Sequence, residues 1–129
     1  MLVAFSVAPS GSPLARNADA GGVVCGHAAE SEARDDASVH DAVAAAVKIV
    51  RESGLPNRTD AMFTTIEGTW DEVFDVIRRA TEAAGAFGSR VSLVLKADIR
   101  SGYRSEITKK LERLETAITE SADLEKPTS

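Results

Sequence analysis

Five side chains of this sequence are suited to act together on a small charged molecule: Ser6, Thr65, Glu67, Lys96 and Asp98. Two carboxylates near one ammonium can hold a cationic ring and orient its polar substituents, while two hydroxyls donate or accept hydrogen bonds around it. The same residues also have a plain structural explanation. Glu67 and Asp98 can end strands, and Lys96 can protect an exposed sheet edge or make a surface ion pair.

For the five to meet, three strands must lie side by side with matched parity. Leu2 to Ala8 is short, apolar and bounded by Pro9, Ser10 and Gly11, so it reads as a strand that opens the domain. Val91, Leu93, Leu95 and Ala97 alternate with Ser92, Val94, Lys96 and Asp98, the period-2 pattern of a strand with unlike faces. Between them, Thr59 to Glu67 is β-branched and aromatic enough for two short strands or one bent hairpin.

Three helices connect and follow these strands. Ser38 with Asp41 predicts the start of the first; Val39, Val43, Ala46, Val47 and Val50 continue it, and Gly54 and Pro56 end it. Thr69 and Glu72 form a capping box for the second, whose apolar stripe runs Trp70, Val73, Phe74, Ile77, Ala80, Ala84 and Phe87. The spacing assigns Trp70, Phe74 and Phe87 to core packing rather than to a ligand. Ile107, Leu111, Leu114 and Ile118 mark a narrow seam on a third helix that packs on a neighbour. Ser12 to Asp36 has neither period and reads as a mobile loop insertion; 121–129 reads as a flexible tail.

The order β, α, β, β, α, β, α predicts an α/β (α+β) protein: one ferredoxin-like βαββαβ domain over 1–120 with an additional C-terminal helix. In that topology the first strand lies beside the third and the last. Both long helices cover one sheet face, and the other face, carrying Leu2, Ala4 and Val94, seeks a partner sheet.

Composition narrows the function classes. The chain has 129 residues, 43% of them hydrophobic, enough for one compact core. A net charge of -5 opposes nucleic-acid binding, and six aromatic residues are few for an RNA platform. Arg78-Arg79 and Lys109-Lys110 sit among acidic neighbours and read as solvated helix faces. One cysteine, an opening segment without a basic flank and no run of about 20 apolar residues fit a soluble cytoplasmic protein that does not engage a membrane. Cys25, His27 and His40 are too irregularly spaced to predict a metal site. Neither a GxxxxGK[ST] loop nor an HExxH pair is present, Arg16 is a poor acylphosphatase arginine, and no catalytic residue is assigned.

The segments FSVAP at 5–9, SVHDAVAAAVKIVRESGL at 38–55, FTTIEGTWDEVFDVIRRA at 63–80 and VSLVLKADIR at 91–100, in this order, resemble the small thiamine-binding protein family over about four fifths of the chain. The resemblance implies a ferredoxin-like fold, sheets paired in dimers and a dimer of dimers as the usual assembly. It implies a non-catalytic protein that binds thiamine, or a related pyrimidine-containing metabolite, as ligand and uses no cofactor. Glu67, within TTIEG, would be the family's acidic residue, suited to pair with a protonated aminopyrimidine nitrogen. Lys96, Asp98 and Arg100 match the polar end of the family's last strand. The sequence departs from the pattern at Ser12 to Asp36, where relatives have a much shorter loop. The competing readings are an assembly module without a small-molecule ligand and a small hydrolase on the same fold.

Overall fold

The structure, a computed structural model, describes residues 1–12, 31–102 and 104–124, with backbone alone for 31–38. Seven elements follow one another: β1 (Leu2–Ser10), α1 (Ser31–Glu52), β2 (Asn57–Thr59), β3 (Thr64–Glu67), α2 (Trp70–Gly85), β4 (Arg90–Asp98) and α3 (Glu106–Leu124). The strands form one sheet in the order β2-β3-β1-β4, and every neighbouring pair is antiparallel. This is the ferredoxin-like arrangement read from the element order, with β1 between β3 and β4.

Alternation in β1 decides which face is dry. Val3, Phe5 and Val7 are buried under the helices, whereas Leu2, Ala4 and Ser6 point to the other face and remain half-buried. Ala42, Ala46 and Val50 of α1 and Val73, Val76, Ile77, Ala80 and Ala84 of α2 close the core over Ile66 of β3. Each large aliphatic side chain buried there contributes about 1.5–3 kcal/mol. The small alanines let α1 and α2 approach the sheet and each other.

Local chemistry sets the boundaries of these elements. Glu72 N–H donates to Thr69 Oγ1 and Thr69 N–H to Glu72 Oε2, the reciprocal box expected at the start of α2. At the end of α1 the Ser53 hydroxyl donates to the Val50 carbonyl, and Gly54 takes a φ of +75° that other residues adopt at a cost. The β2–β3 hairpin turns on Asp60, whose Oδ1 accepts from the amides of Met62 and Phe63 at 2.9 Å each. Those bonds lower the Asp60 pKa, and Met62 is placed in the turn rather than in a strand. Gly88 allows β4 to begin against β1, since a Cβ there would stand 2.6 Å from the Ser10 carbonyl oxygen.

Four expectations need correction. Helix α1 begins at Ser31, seven residues before Ser38, and takes in the end of the segment read as a loop. Ala, Glu and Arg in SEAR favour a helix, and the acidic residues that follow suit its N-terminal dipole. Residues 13–30, which include Arg16, Cys25 and His27, lie outside the described residues. Trp70 is 56% exposed and stacks on Phe74 at 5.2 Å between ring centroids, on the outer side of α2 rather than in the core. Phe87 does pack against the core. The seam of α3 packs at its first residue alone: Ile107 is half-buried beside β3, whereas Leu111, Leu114 and Ile118 are 43–55% exposed. Finally, α3 continues to Leu124, past the expected start of the tail at 121.

Burial separates two substitutions four residues apart in the hairpin. Ile66→Ala, at a fully buried side chain, is expected to cost about 2–5 kcal/mol in denaturant unfolding, and Met62→Ala, in the exposed turn, within about 0.5 kcal/mol of zero.

Candidate functional site

The sheet register brings the five residues to the face that α1 and α2 leave open. Leu2 lies between Glu67 and Asp98, Ala4 between Thr65 and Lys96, and Ser6 opposite Val94. Arg58 of β2 stands opposite Thr65 and extends the second row, a neighbour that the sequence did not single out. Matched parity is therefore realised, but not as one tight cluster. Glu67 and Asp98 are two strand spacings apart, about 10 Å, and Ser6 lies about 13 Å along β1 from the Glu67 row.

Glu67 is the most constrained member, with only 8% of its surface exposed. The backbone N–H of Glu106 donates to its Oε1 at 2.9 Å, and that of Ile107 to its Oε2 at 3.3 Å. A carboxylate from β3 thus caps the first turn of α3, where free amides and the helix dipole favour negative charge. Ser105, at the usual capping position, has a φ of +59°, in the left-handed region rather than the extended conformation of an ordinary N-cap. Glu67 supplies from a distance what the local residue does not.

Two ion pairs surround this cap, one within α3 and one from α3 to the sheet. Arg113 Nη2 reaches both carboxylate oxygens of buried Glu106, at 2.9 and 3.1 Å. Lys110 donates to Asp98, with Arg100 also close to it. That hydrogen bond from Lys110, followed by the charges of Lys110, Arg100 and Lys96, holds the Asp98 carboxyl below the usual aspartate pKa. Lys110 is therefore engaged with the sheet rather than being part of a merely solvated face. Glu106 and Arg113 pair two turns apart on α3 and carry no motif; the local signal is an acidic residue at the start of a helix.

Met1, Leu2, Glu67, Asp98, Arg100 and Glu106 line a cleft of about 10 Å³ at this end of the sheet. That is room for about one water and not for a pyrimidine ring. Among the described residues no group of three or more His, Cys, Asp and Glu could hold a metal ion.

Comparison with known proteins places this chain in a family. The thiamine-binding protein family matches residues 32–115, from the start of α1 into α3 and including Thr65, Glu67, Lys96 and Asp98. The chain belongs to the thiamine-binding protein family. A UPF0045 protein of Mycobacterium bovis is 51% identical over 78 residues, 60% of this chain and 76% of its own. A solved domain of unknown function from Bacillus cereus shares the fold at a TM-score of 0.56 and 26% identity, over 81% of this chain and 82% of its own. A candidate thiamine biosynthesis/salvage protein from Thermotoga maritima has a TM-score of 0.59 at 19% identity, over 88% of this chain and 96% of its own, a likeness of fold. The family match begins after β1, so Ser6 lies outside it.

The Lys110–Asp98 pair gives the site a pH signature. A depressed aspartate pKa stabilises the folded chain above the unfolded value, and that contribution is lost as pH falls through the folded value. Carboxyl NMR is expected to titrate Asp98 below the ordinary aspartate range in the wild type and closer to it in Lys110→Ala.

Proposed function

We propose that this protein binds thiamine or a related pyrimidine-containing metabolite on the open sheet face and does not transform it. The observation that carries the reading is a buried carboxylate, Glu67, set among amide donors on that face and inside the region shared with a family of binding proteins. A carboxylate there suits a protonated aminopyrimidine through a charge-assisted hydrogen bond. Thr65, Lys96 and Asp98 offer further polar contacts on the same face, with Ser6 at its far side.

Thiamine is the bound ligand in this reading, not a catalytic cofactor, and the protein works without one. Because both Glu67 oxygens already accept amides of α3 and the cleft is narrow, a ring reaches Glu67 only as the first turn of α3 yields. Ligand and helix then compete for one carboxylate. The protein acts as a self-associated dimer of dimers in the cytoplasm, engaging neither nucleic acid nor membrane. Exposed Val94, Leu111, Leu114 and Ile118 support the self-association. No helix among the described residues is long and apolar enough to cross a membrane.

Calorimetric titration with thiamine tests this reading. Saturable heat is expected, with affinity at least about tenfold weaker in Glu67→Gln, a loss of about 1.4 kcal/mol. No heat, together with no binding of the pyrimidine moiety alone, would replace it with an assembly protein that has no small ligand.

A further inference from the structure

The second row of the open face is built differently from the first. Arg58, Thr65, Ala4 and Lys96 lie side by side across the four strands. Ala4 presents only a methyl group, so the row is a shallow floor with a basic residue at each end. Ser6, two residues further along β1, faces the same way; Ala4, Thr65 and Ser6 are half-buried, while Arg58 and Lys96 are exposed. The two basic residues stand three strand spacings apart, about 14 Å between backbones. Side chains as long as arginine and lysine can close on one small anion across that gap.

The charges of this face are unevenly engaged. In the first row Glu67 accepts two amides of α3, and Asp98 accepts from Lys110 with Arg100 close by. In the second row neither Arg58 nor Lys96 makes an ion pair among the described residues, and the Ser6 and Thr65 hydroxyls make no hydrogen bond there. The acids in their neighbourhood, Asp60 for Arg58 and Asp98 for Lys96, already serve the hairpin amides and Lys110. Although the chain carries a net charge of -5, the second row therefore offers a ligand two uncommitted cations and two hydroxyls.

We infer that Arg58, Thr65 and Lys96, with Ser6, form an anion subsite that takes the phosphate of a phosphate monoester. Such a group carries about −1.5 to −2 charges at neutral pH and several strong acceptor oxygens. The planar fork of Arg58 binds two of those oxygens, Lys96 approaches as a point charge from the other side, and the hydroxyls supply neutral donors. The subsite itself needs only the phosphate; its use by a phosphorylated thiamine rests on the reading proposed above. Free thiamine brings a thiazolium cation to two uncommitted cations, an unfavourable approach, and esterifying its hydroxyethyl arm with phosphate reverses the sign of that encounter. Glu67 and Thr65 are two residues apart on β3, about 7 Å, so a ligand whose pyrimidine meets Glu67 extends its phosphate over the second row.

Calorimetric titration with thiamine, thiamine monophosphate and glycerol phosphate, a monoester without the pyrimidine, tests the subsite. The wild type is expected to bind thiamine monophosphate at least about tenfold tighter than thiamine. In Arg58→Gln and in Lys96→Gln the ratio of the two affinities is expected to fall toward one, with the urea midpoint of unfolding unchanged because both positions are exposed. Equal affinities for thiamine and its monophosphate in the wild type, or a preference that survives both substitutions, would overturn the subsite and leave the thiamine reading standing. Binding of glycerol phosphate that both substitutions abolish, with no heat from thiamine, would support the subsite and overturn the thiamine reading. No heat from any of the three would overturn both.

Discussion

The Glu67 carboxylate is the interaction on which the rest of the arrangement depends. It ends β3 in the row with Leu2 and Asp98, and it supplies the negative charge that the first turn of α3 needs. Without it, the amides of Glu106 and Ile107 would face the sheet with no acceptor behind a Ser105 already held at positive φ. The ion pair of Lys110 with Asp98 follows from that anchoring, while Arg113 and Glu106 pair within α3 itself. Both are partly exposed and contribute modestly; the cap fixes the geometry in which Lys110 meets Asp98.

The consequence is a domain with two unlike halves. Under α1 and α2 the sheet is dry and closed by Val3, Phe5, Ile66 and Ile77, so the βαββαβ body is stable by burial. On the other side α3 is held by charge and hydrogen bonds at one end, while Leu111, Leu114 and Ile118 stay exposed. An element attached in this way opens at lower free energy than the core, which suits a segment that yields to a ligand or a second subunit.

The body was legible in the sequence because its signals are local. The capping box at Thr69 and Glu72, the alternation from Val91 to Asp98 and the apolar run from Leu2 each report on a few neighbouring residues. Strand parity alone puts Ser6, Thr65, Glu67, Lys96 and Asp98 on one face, as the register has them. What stayed hidden is tertiary. The cap of α3 comes from a residue 39 positions away. Trp70 fits an apolar stripe yet lies beyond the width that the sheet covers. The α3 seam has the spacing of a packed helix, yet beyond Ile107 its residues Leu111, Leu114 and Ile118 stay exposed. The start of α1 is hidden because SEARDDA carries helix propensity without an apolar period.

The shared use of Glu67 is tested most directly by hydrogen exchange at the Glu106 and Ile107 amides, followed by NMR with and without thiamine. The account predicts that both are protected in the free protein and exchange faster at saturating thiamine, while the amides of Val3 and Ile66 keep their protection. Unchanged or increased protection of Glu106 and Ile107 at a thiamine concentration that saturates the binding heat would contradict it.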